Sequence, residues 1–426
     1  MINKNILTEN FSYEDEKGNV VSREEMCTLI DRWKYLLVER GAKRGDSLGI
    51  SLVMVSPNHL ALVIAAGELA MKLILLDKPA AMETIDRTKA AVFDPIDFHV
   101  IDDYLAASEP YMEMVNRYCK QNIFENEIDA VTCTIEEDFG SPNDIYLCGS
   151  SSGTTSKPKP VYFTQHDCFE LSERNIKVFK FEQNSVVCHT RNMHHVSCMM
   201  TFLLPALMIS DRHYYYNIYD VMSGFPAFIK EKKIDRVFFG SPFVVRDLVK
   251  YSVGPFDVPV LINLSGFTIP AEYIEYCEFF NVEFLSHFGS VDTGIPLLLN
   301  HVTKDSKFEE NWLGVEPDDY YRIIQDDVVR VEGPWVGYRI LEDRLKFKNG
   351  KWYHEGRVDV DPVEKACKRL LKKDLSVYGN NLIIWNDSEG VEVPGMTVHY
   401  LSKEQWTTET KVNVYQLLGY LEKIGT

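Results

Sequence analysis

A chain of 426 residues with 45% apolar side chains can bury a large core, which excludes disorder as its main state and allows one large domain with a smaller companion. A formal charge of −18 argues against nucleic acid or an anionic membrane as partner, because both select for lysine and arginine patches, so any anionic substrate must be held by local donors. Nine cysteines, scattered from Cys27 to Cys367 without a C-x-x-C pair, and an N-terminus lacking a charged-then-apolar signal region point to a reducing cytoplasm. In chain order, the pattern predicts an extended piece at 19–22, a helix over 22–41, a strand over 47–53, a helix over 57–71 and a strand over 73–76. The apolar run 59–76 contains Glu68 and Lys72, which makes it a buried helix and too polar for a membrane span. The acidic stretch 126–139 is expected to be a solvated connection, and further strands are expected at 144–148, 186–190, 236–239, 260–265 and 282–288. Alternating helices and strands imply an α/β layer fold. Residues 322–340 alternate charged and apolar side chains around Gly333, Pro334 and Gly337, as an antiparallel sheet or small barrel does, and a final helix-and-strand segment follows a boundary placed at 356–359.

The segment 146–161, YLCGSSSGTTSKPKPV, carries the clearest chemistry. Gly149 and Gly153 permit close approach of backbone N–H groups to an anion, Ser150, Ser151, Ser152, Thr154 and Thr155 add hydroxyls, and Lys157 and Lys159 add charge. This is a donor set suited to a triphosphate. No lysine follows a glycine as a Walker A loop requires. Gly149-Ser-Ser151-Ser-Gly153 does satisfy the G-x-S-x-G nucleophile elbow of α/β-hydrolases, which would make Ser151 a nucleophile. That elbow needs a helix starting at the serine, and Pro158 and Pro160 would each cost an interior helix about 3 kcal/mol.

The segment resembles the phosphate-binding signature S-G-T-T-G-x-P-K-G-V of the adenylate-forming superfamily, which comprises acyl-CoA synthetases, luciferases and peptide-synthetase adenylation domains. Ser152-Gly153-Thr154-Thr155, Pro158-Lys159 and Val161 match, while Ser156 and Pro160 stand where that signature has glycine. The resemblance runs from about residue 19 to 420. It implies a large α/β adenylation domain (1–356) of packed sheets and helices with a small barrel-like subdomain, and a small mobile α+β domain (357–426). It also implies ATP and Mg2+ as cofactors and a carboxylic acid as substrate. Ser151, Ser152, Gly153, Thr154, Thr155 and Lys159 would hold phosphates.

Met193-His194-His195-Val196-Ser197-Cys198 is similar to the histidine-bearing F-H-x-x-G segment, with His195 beside the carboxylate or gating the acyl pocket and Cys198 in place of glycine. Read alone, the two adjacent histidines are equally a helix cap or hydrogen-bonded core. His287-Phe288-Gly289-Ser290-Val291-Asp292 resembles Y-G-x-T-E, so Phe288 would face adenine, Gly289 and Ser290 would border the nucleotide, and Asp292 would help hold magnesium. Val291 lacks the threonine hydroxyl, leaving Ser290, Thr293 or a water to meet the α-phosphate. Ser265-Gly266-Phe267 resembles the loop flanking the adenine and substrate pocket. Asp343, Gly350, Tyr353 and Gly356-Arg357-Val358-Asp359 follow the order of the ribose-binding and hinge motifs, with Asp343 and Arg357 on the ribose, Asp359 as hinge, and Leu341-Glu342 replacing Thr-Gly. Lys411 falls at the catalytic lysine of T-x-x-G-K-x-D-R, although Thr410 and Val414 replace glycine and arginine.

After Val360 the chain goes directly to Asp361-Pro-Val-Glu364, omitting a loop that in relatives lines the pantetheine tunnel. The acceptor is therefore expected to be an acyl-carrier-protein thiol or an amine rather than free CoA. Lys365, Lys368, Arg369, Lys372 and Lys373 offer a basic face, equally readable as an ordinary solvated helix. With no acid in 196–201 to pair an α-amino group, an aryl or short acyl carboxylate is favoured. Pocket candidates are His194, His195, Met199, Phe267 and His287. Two alternatives stand beside this reading: a hydrolase using Ser151, and a degenerate nucleotide-binding protein without turnover.

Overall fold

The computed structural model describes residues 1–15, 17–51, 56–76, 93, 95–101, 106–107, 109–150, 160–190, 196–216, 218, 222–239, 242–265, 269–294, 296–325, 329–334, 337–341, 343–357, 375–378, 381–385 and 397–401. A short hairpin, β1 (Ser12–Glu14) and β2 (Val20–Ser22), leads into helix α1 (Arg23–Glu39). Ser22 and Glu25 form a reciprocal capping box at its start, and Met26, Ile30, Trp33 and Leu37 recur at helical spacing on its buried side. β3 (Ser47–Ser51), α2 (Pro57–Glu68) and β4 (Lys72–Leu75) follow. Ser56 caps α2, Pro57 occupies its first turn, and the helix is buried on every side from His59 to Glu68. The expected buried helix is therefore present, and among the described residues no helix is long and apolar enough to cross a membrane.

β5 (Ile96–Ile101), α3 (Glu109–Tyr118), β6 (Cys119–Phe124), β7 (Ile145–Ser150) and β8 (Pro160–Thr164) complete a six-stranded sheet in the order β6-β5-β3-β4-β7-β8. It is parallel except for β8, which runs antiparallel to β7 with Ser150 opposite Pro160. An edge position suits a strand that opens on proline. The stretch before β7 does more than bridge solvent: Ile128 is buried, Arg32 donates to Val131 O at 2.6 Å, and Lys34 Nζ donates to Glu137 O at 3.0 Å.

α4 (Gln165–Val178), capped by Thr164 and Asp167, leads to the second sheet. Its strands are β9 (Val186–His189), β10 (Arg212–Tyr215), β11 (Arg236–Phe239), β12 (Val260–Ser265), β13 (Val282–Phe288) and β14 (Leu298–Val302), joined by α5 (Phe225–Lys232), α6 (Pro242–Tyr251) and α7 (Glu272–Phe280). The order is β14-β13-β12-β11-β9-β10-β1-β2, parallel from β13 to β1. One core joins the two sheets: Leu48, Leu73 and Leu147 from the first and Val187, Phe238, Leu261 and Leu285 from the second pack with α1, α2 and α4 between them. On β12, Leu261 enters this inner core, whereas Val260, Ile262 and Leu264 pack outward with residues of α5, α6 and α7. The near-continuous apolar runs seen in the sequence are thus strands covered on both faces. This is the expected α/β arrangement of packed sheets and helices.

Two three-stranded antiparallel sheets follow. One is β16 (Arg322–Gln325), β17 (Val329–Gly333) and β18 (Gly337–Leu341); the other pairs β15 (Trp312–Gly314) and β19 (Asp343–Lys348) on either side of β20 (Lys351–Arg357). They share a core that includes Leu313, Tyr321, Ile323, Val331, Leu345 and Trp352, as a small barrel-like subdomain does. Asn349 (φ 53°) and Gly350 (φ 74°) make the two-residue turn from β19 to β20, where both residues need a left-handed backbone. Strands β21 (Leu375–Tyr378), β22 (Asn381–Trp385) and β23 (Thr397–Leu401) form a separate small sheet.

Candidate active site

In the second sheet β9, β12 and β13 run parallel, so their C-terminal ends open on one edge, where open α/β sheets bind ligands. The segments leaving these ends are those singled out in the sequence. From β9 the chain passes to a helical segment, 196–209, from β12 it passes to Gly266 and Phe267, and from β13 it passes through Gly289 and Ser290 into a 3-10 turn, Val291–Thr293.

The end of β7, in the other sheet, meets two of these segments. A Cβ placed on Gly149 would lie 2.6 Å from Val196 Cγ2 and 2.8 Å from Val291 Cγ1. Gly149 therefore lets the strand that feeds the phosphate-loop sequence touch both the start of the 196–209 segment and the turn bearing Asp292. Ser151 of the G-x-S-x-G sequence lies outside the described residues, and the next described element is the antiparallel strand β8.

The turn after β13 is fixed by its own hydrogen bonds. Thr293 is fully buried; its hydroxyl accepts from Ser290 N–H at 3.1 Å and donates to Ser290 O at 2.9 Å. Tyr321 donates its phenol to Thr293 O at 2.5 Å. Nearby, Arg174 holds Asp318 through two bonds of 2.7 and 2.9 Å, donates to Pro296 O at 3.1 Å, and lies over the rings of Tyr320 and Tyr321 at 5.0 and 5.1 Å. Thr293 is thus committed inside the turn, and the Ser290 hydroxyl lies 3.4 Å from the Thr293 hydroxyl.

Phe288 packs partly buried on the barrel core, and its ring centroid is 6.4 Å from that of His354 on β20. His354 Nε2 lies 3.1 Å from Asp343 Oδ1, and Asp343 pairs in register with Arg357. Asp343 and Arg357 are thus opposite each other on the β19–β20 hairpin, whose His354 meets Phe288 at the end of β13. His354 escaped the sequence reading, although the Asn349-Gly350 turn signal fixes the hairpin that brings it opposite Asp343.

The 196–209 segment opens as an α-helix, passes through a π-helical stretch at Met199–Leu203, where Leu204 N–H reaches back to Met199 O, and resumes as Leu204–Ile209. Such stretches are frequent at functional sites, and Pro205, without an N–H, follows directly. Met199 is fully buried there. His287 is buried on the inner face of β13 with its ring edge-on to Phe179 at 5.4 Å. Burial lowers its pKa to about 3, so the imidazole is neutral.

Asp292 sits in the Val291–Thr293 turn and Arg357 ends β20. Ser151, Ser152, Gly153, Thr154, Thr155, Lys159, His194, His195, Gly266, Phe267, Asp359, Lys411 and the basic cluster from Lys365 to Lys373 lie outside the described residues.

Two large sheets packed with helices around one core, followed by a small barrel-like subdomain, are the architecture of an adenylate-forming enzyme. The sequence matches the model of the AMP-binding enzyme family over residues 49–308, more than half of the chain, and the protein belongs to that family. No curated protein matches the sequence. Among solved structures, it is similar to the inhibitor-bound N-terminal domain of FACL13 from Mycobacterium tuberculosis, with TM-score 0.70 and 13% identity over 84% of this chain and 100% of that one. It is also similar to O-succinylbenzoate coenzyme A synthetase (MenE) from Bacillus subtilis in complex with ATP and magnesium ion, with TM-score 0.71 and 16% identity over 90% and 88% of the two chains. ATP-bound MatB from Rhodopseudomonas palustris gives TM-score 0.67 and 14% identity over 90% and 89%. At these identities the likeness is one of fold.

Proposed function

We propose that the protein activates a carboxylic acid with ATP, forming an acyl-adenylate and releasing pyrophosphate. The observation that carries this reading is the junction at Gly149, where the strand feeding the phosphate-loop sequence touches the two segments that would hold the carboxylate and the nucleotide. The carboxylate oxygen attacks the α-phosphorus in line, and pyrophosphate leaves. Catalysis of this kind is positioning plus stabilisation of charge. Ser151, Ser152, Gly153, Thr154, Thr155 and Lys159 hold the phosphates; Gly266, Phe267, Phe288 and Gly289 border the adenine; Asp343 and Arg357 take the ribose; and His195 lies beside the carboxylate. Ser290 takes the α-phosphate contact, since Thr293 is spent within its turn. One carboxylate, Asp292, together with substrate phosphates is a donor set that suits Mg2+, which would neutralise phosphate charge there. Lys411, delivered by the 357–426 domain, stabilises the charge developing between carboxylate and α-phosphate.

An aryl or short acyl acid is the favoured substrate, and a carrier-protein thiol or an amine is favoured over CoA as acceptor, because the chain omits the loop after Val360. Carboxylate-dependent exchange of labelled pyrophosphate into ATP, run over a panel of acids, tests the reading. Exchange driven by one class of acid is expected. Esterase activity lost in Ser151→Ala, with no exchange, would favour a hydrolase instead, and ATP binding without any exchange would favour a non-catalytic nucleotide-binding protein.

A further inference from the structure

The inner face of the second sheet carries two buried polar side chains short of hydrogen-bond partners. Among the described residues, Asn263 on β12 is fully buried with no hydrogen-bond partner for its amide oxygen or its amide nitrogen; His287 on β13 is 4% exposed and neither ring nitrogen makes a well-formed hydrogen bond, the backbone of Leu264 being the polar group beside its ring. Buried polar groups are paired in the great majority of cases, so an unpaired amide beside a poorly bonded imidazole calls for a missing partner. They are also neighbours. Leu261 and Leu285 place the inner face of β12 and β13, so Asn263 and Ser265 share it, as does His287. His287 pairs with Ser265, and Asn263 lies two residues further from the strand end, roughly 7 Å deeper. The two side chains therefore border the inter-sheet layer directly beneath the strand ends of the candidate site, where Phe179, Phe202 and Phe238 belong to the apolar core and the rings of Phe202 and Phe238 are 5.7 Å apart.

We propose that Asn263 and His287 line the inner end of the acid-binding pocket and hydrogen-bond a hydroxyl group carried by the substrate acid away from its carboxylate. The inference rests on the adenylation reading and narrows its substrate to a hydroxylated aryl or short acyl acid. The chemistry of the pair selects this group. A neutral imidazole offers one donor and one acceptor, and an amide offers both, whereas a hydroxyl both donates and accepts. Neither residue brings a positive charge for a second carboxylate, and a plain hydrocarbon tail would leave the Asn263 amide unpaired.

The test compares pyrophosphate exchange driven by benzoic acid with exchange driven by each of its three monohydroxy derivatives, and likewise hexanoic acid with 6-hydroxyhexanoic acid. One hydroxy acid is expected to exceed its parent in kcat/KM by about 10- to 100-fold, the consequence of leaving a buried group unpaired with the parent acid. In Asn263→Leu and His287→Leu that ratio is expected to fall toward one. Because each change removes a poorly bonded polar group from an apolar layer, thermal unfolding of the unliganded variants should be unchanged or later. No hydroxy acid better than its parent, or a preference that survives in both variants, would overturn the inference. If no acid supports exchange at all, the adenylation reading falls separately, and calorimetric binding of the same acid pairs to wild type and both variants then decides whether the pair recognises a hydroxyl.

Discussion

Replacing Gly149 with alanine adds one methyl group at the point where the two sheets exchange contacts. The new Cβ would sit 2.6 Å from Val196 Cγ2 and 2.8 Å from Val291 Cγ1, against about 3.5–4.0 Å for relaxed carbon–carbon contact, so roughly 1 Å must be recovered on both sides. Neither valine can swing aside cheaply, because branching at Cβ restricts χ1. Overpacking of this kind costs about 1–3 kcal/mol. The larger effect falls on chemistry, since a shift of about 1 Å between reacting groups can lower the rate by about 100-fold. Gly149→Ala is therefore expected to unfold at modestly lower denaturant, and to lose pyrophosphate exchange far more than stability. Gly149→Ala combined with Val291→Ala removes half of the overlap and should recover much of the exchange, a coupling expected only of residues in contact. An active, fully stable Gly149→Ala, or a double variant no better than the single one, would refute the role given to this junction.

The buried Lys34 ammonium lies 2.6 Å from Glu68 and 2.9 Å from Asp31, so Lys34→Met should cost about 3–5 kcal/mol in chemical denaturation by stranding Glu68 in the core. His354→Ala removes the neighbour of both Phe288 and Asp343 and is expected to raise KM for ATP several-fold in the exchange assay while leaving KM for the acid little changed. Burial pushes His99 and His213 down to a pKa of about 4, below the ordinary value near 6.5, so between those values the unfolded chain binds more protons than the folded one. Stability should therefore be full above pH 6.5 and fall as pH drops toward 4, by up to about 1.4 kcal/mol per pH unit for each group. His99→Gln should flatten that slope in denaturation midpoints measured across the range.

Strands such as Arg236–Phe239 and Val260–Ser265 were legible because an apolar run covered on both faces leaves a strong local signal, and the helix starts were legible because Ser22 and Ser56 announce them. The donor cluster from Ser150 to Lys159 is a local signal of the same kind, and beyond Ser150 it lies outside the described residues. β8 was not legible, since prolines argue against a central strand and only the edge position beside β7 makes room for one. The partnership of Phe288, His354 and Asp343 depends on pairing between segments distant in sequence, and the need for glycine at 149 depends on two valines contributed by other elements. The π-helical stretch at Met199–Leu203 likewise has no sequence periodicity to signal it.

Formation of an acyl-adenylate is tested most directly by following the carboxylate oxygen. When an acid labelled with oxygen-18 in its carboxylate reacts with ATP and the acyl group passes to an acceptor, the bond to phosphorus forms from a carboxylate oxygen and the acyl–oxygen bond breaks. One labelled oxygen should then appear in the phosphate of AMP, with unlabelled pyrophosphate as the other product. ADP with label in inorganic phosphate, or AMP free of label, would contradict adenylation as the reaction of this protein.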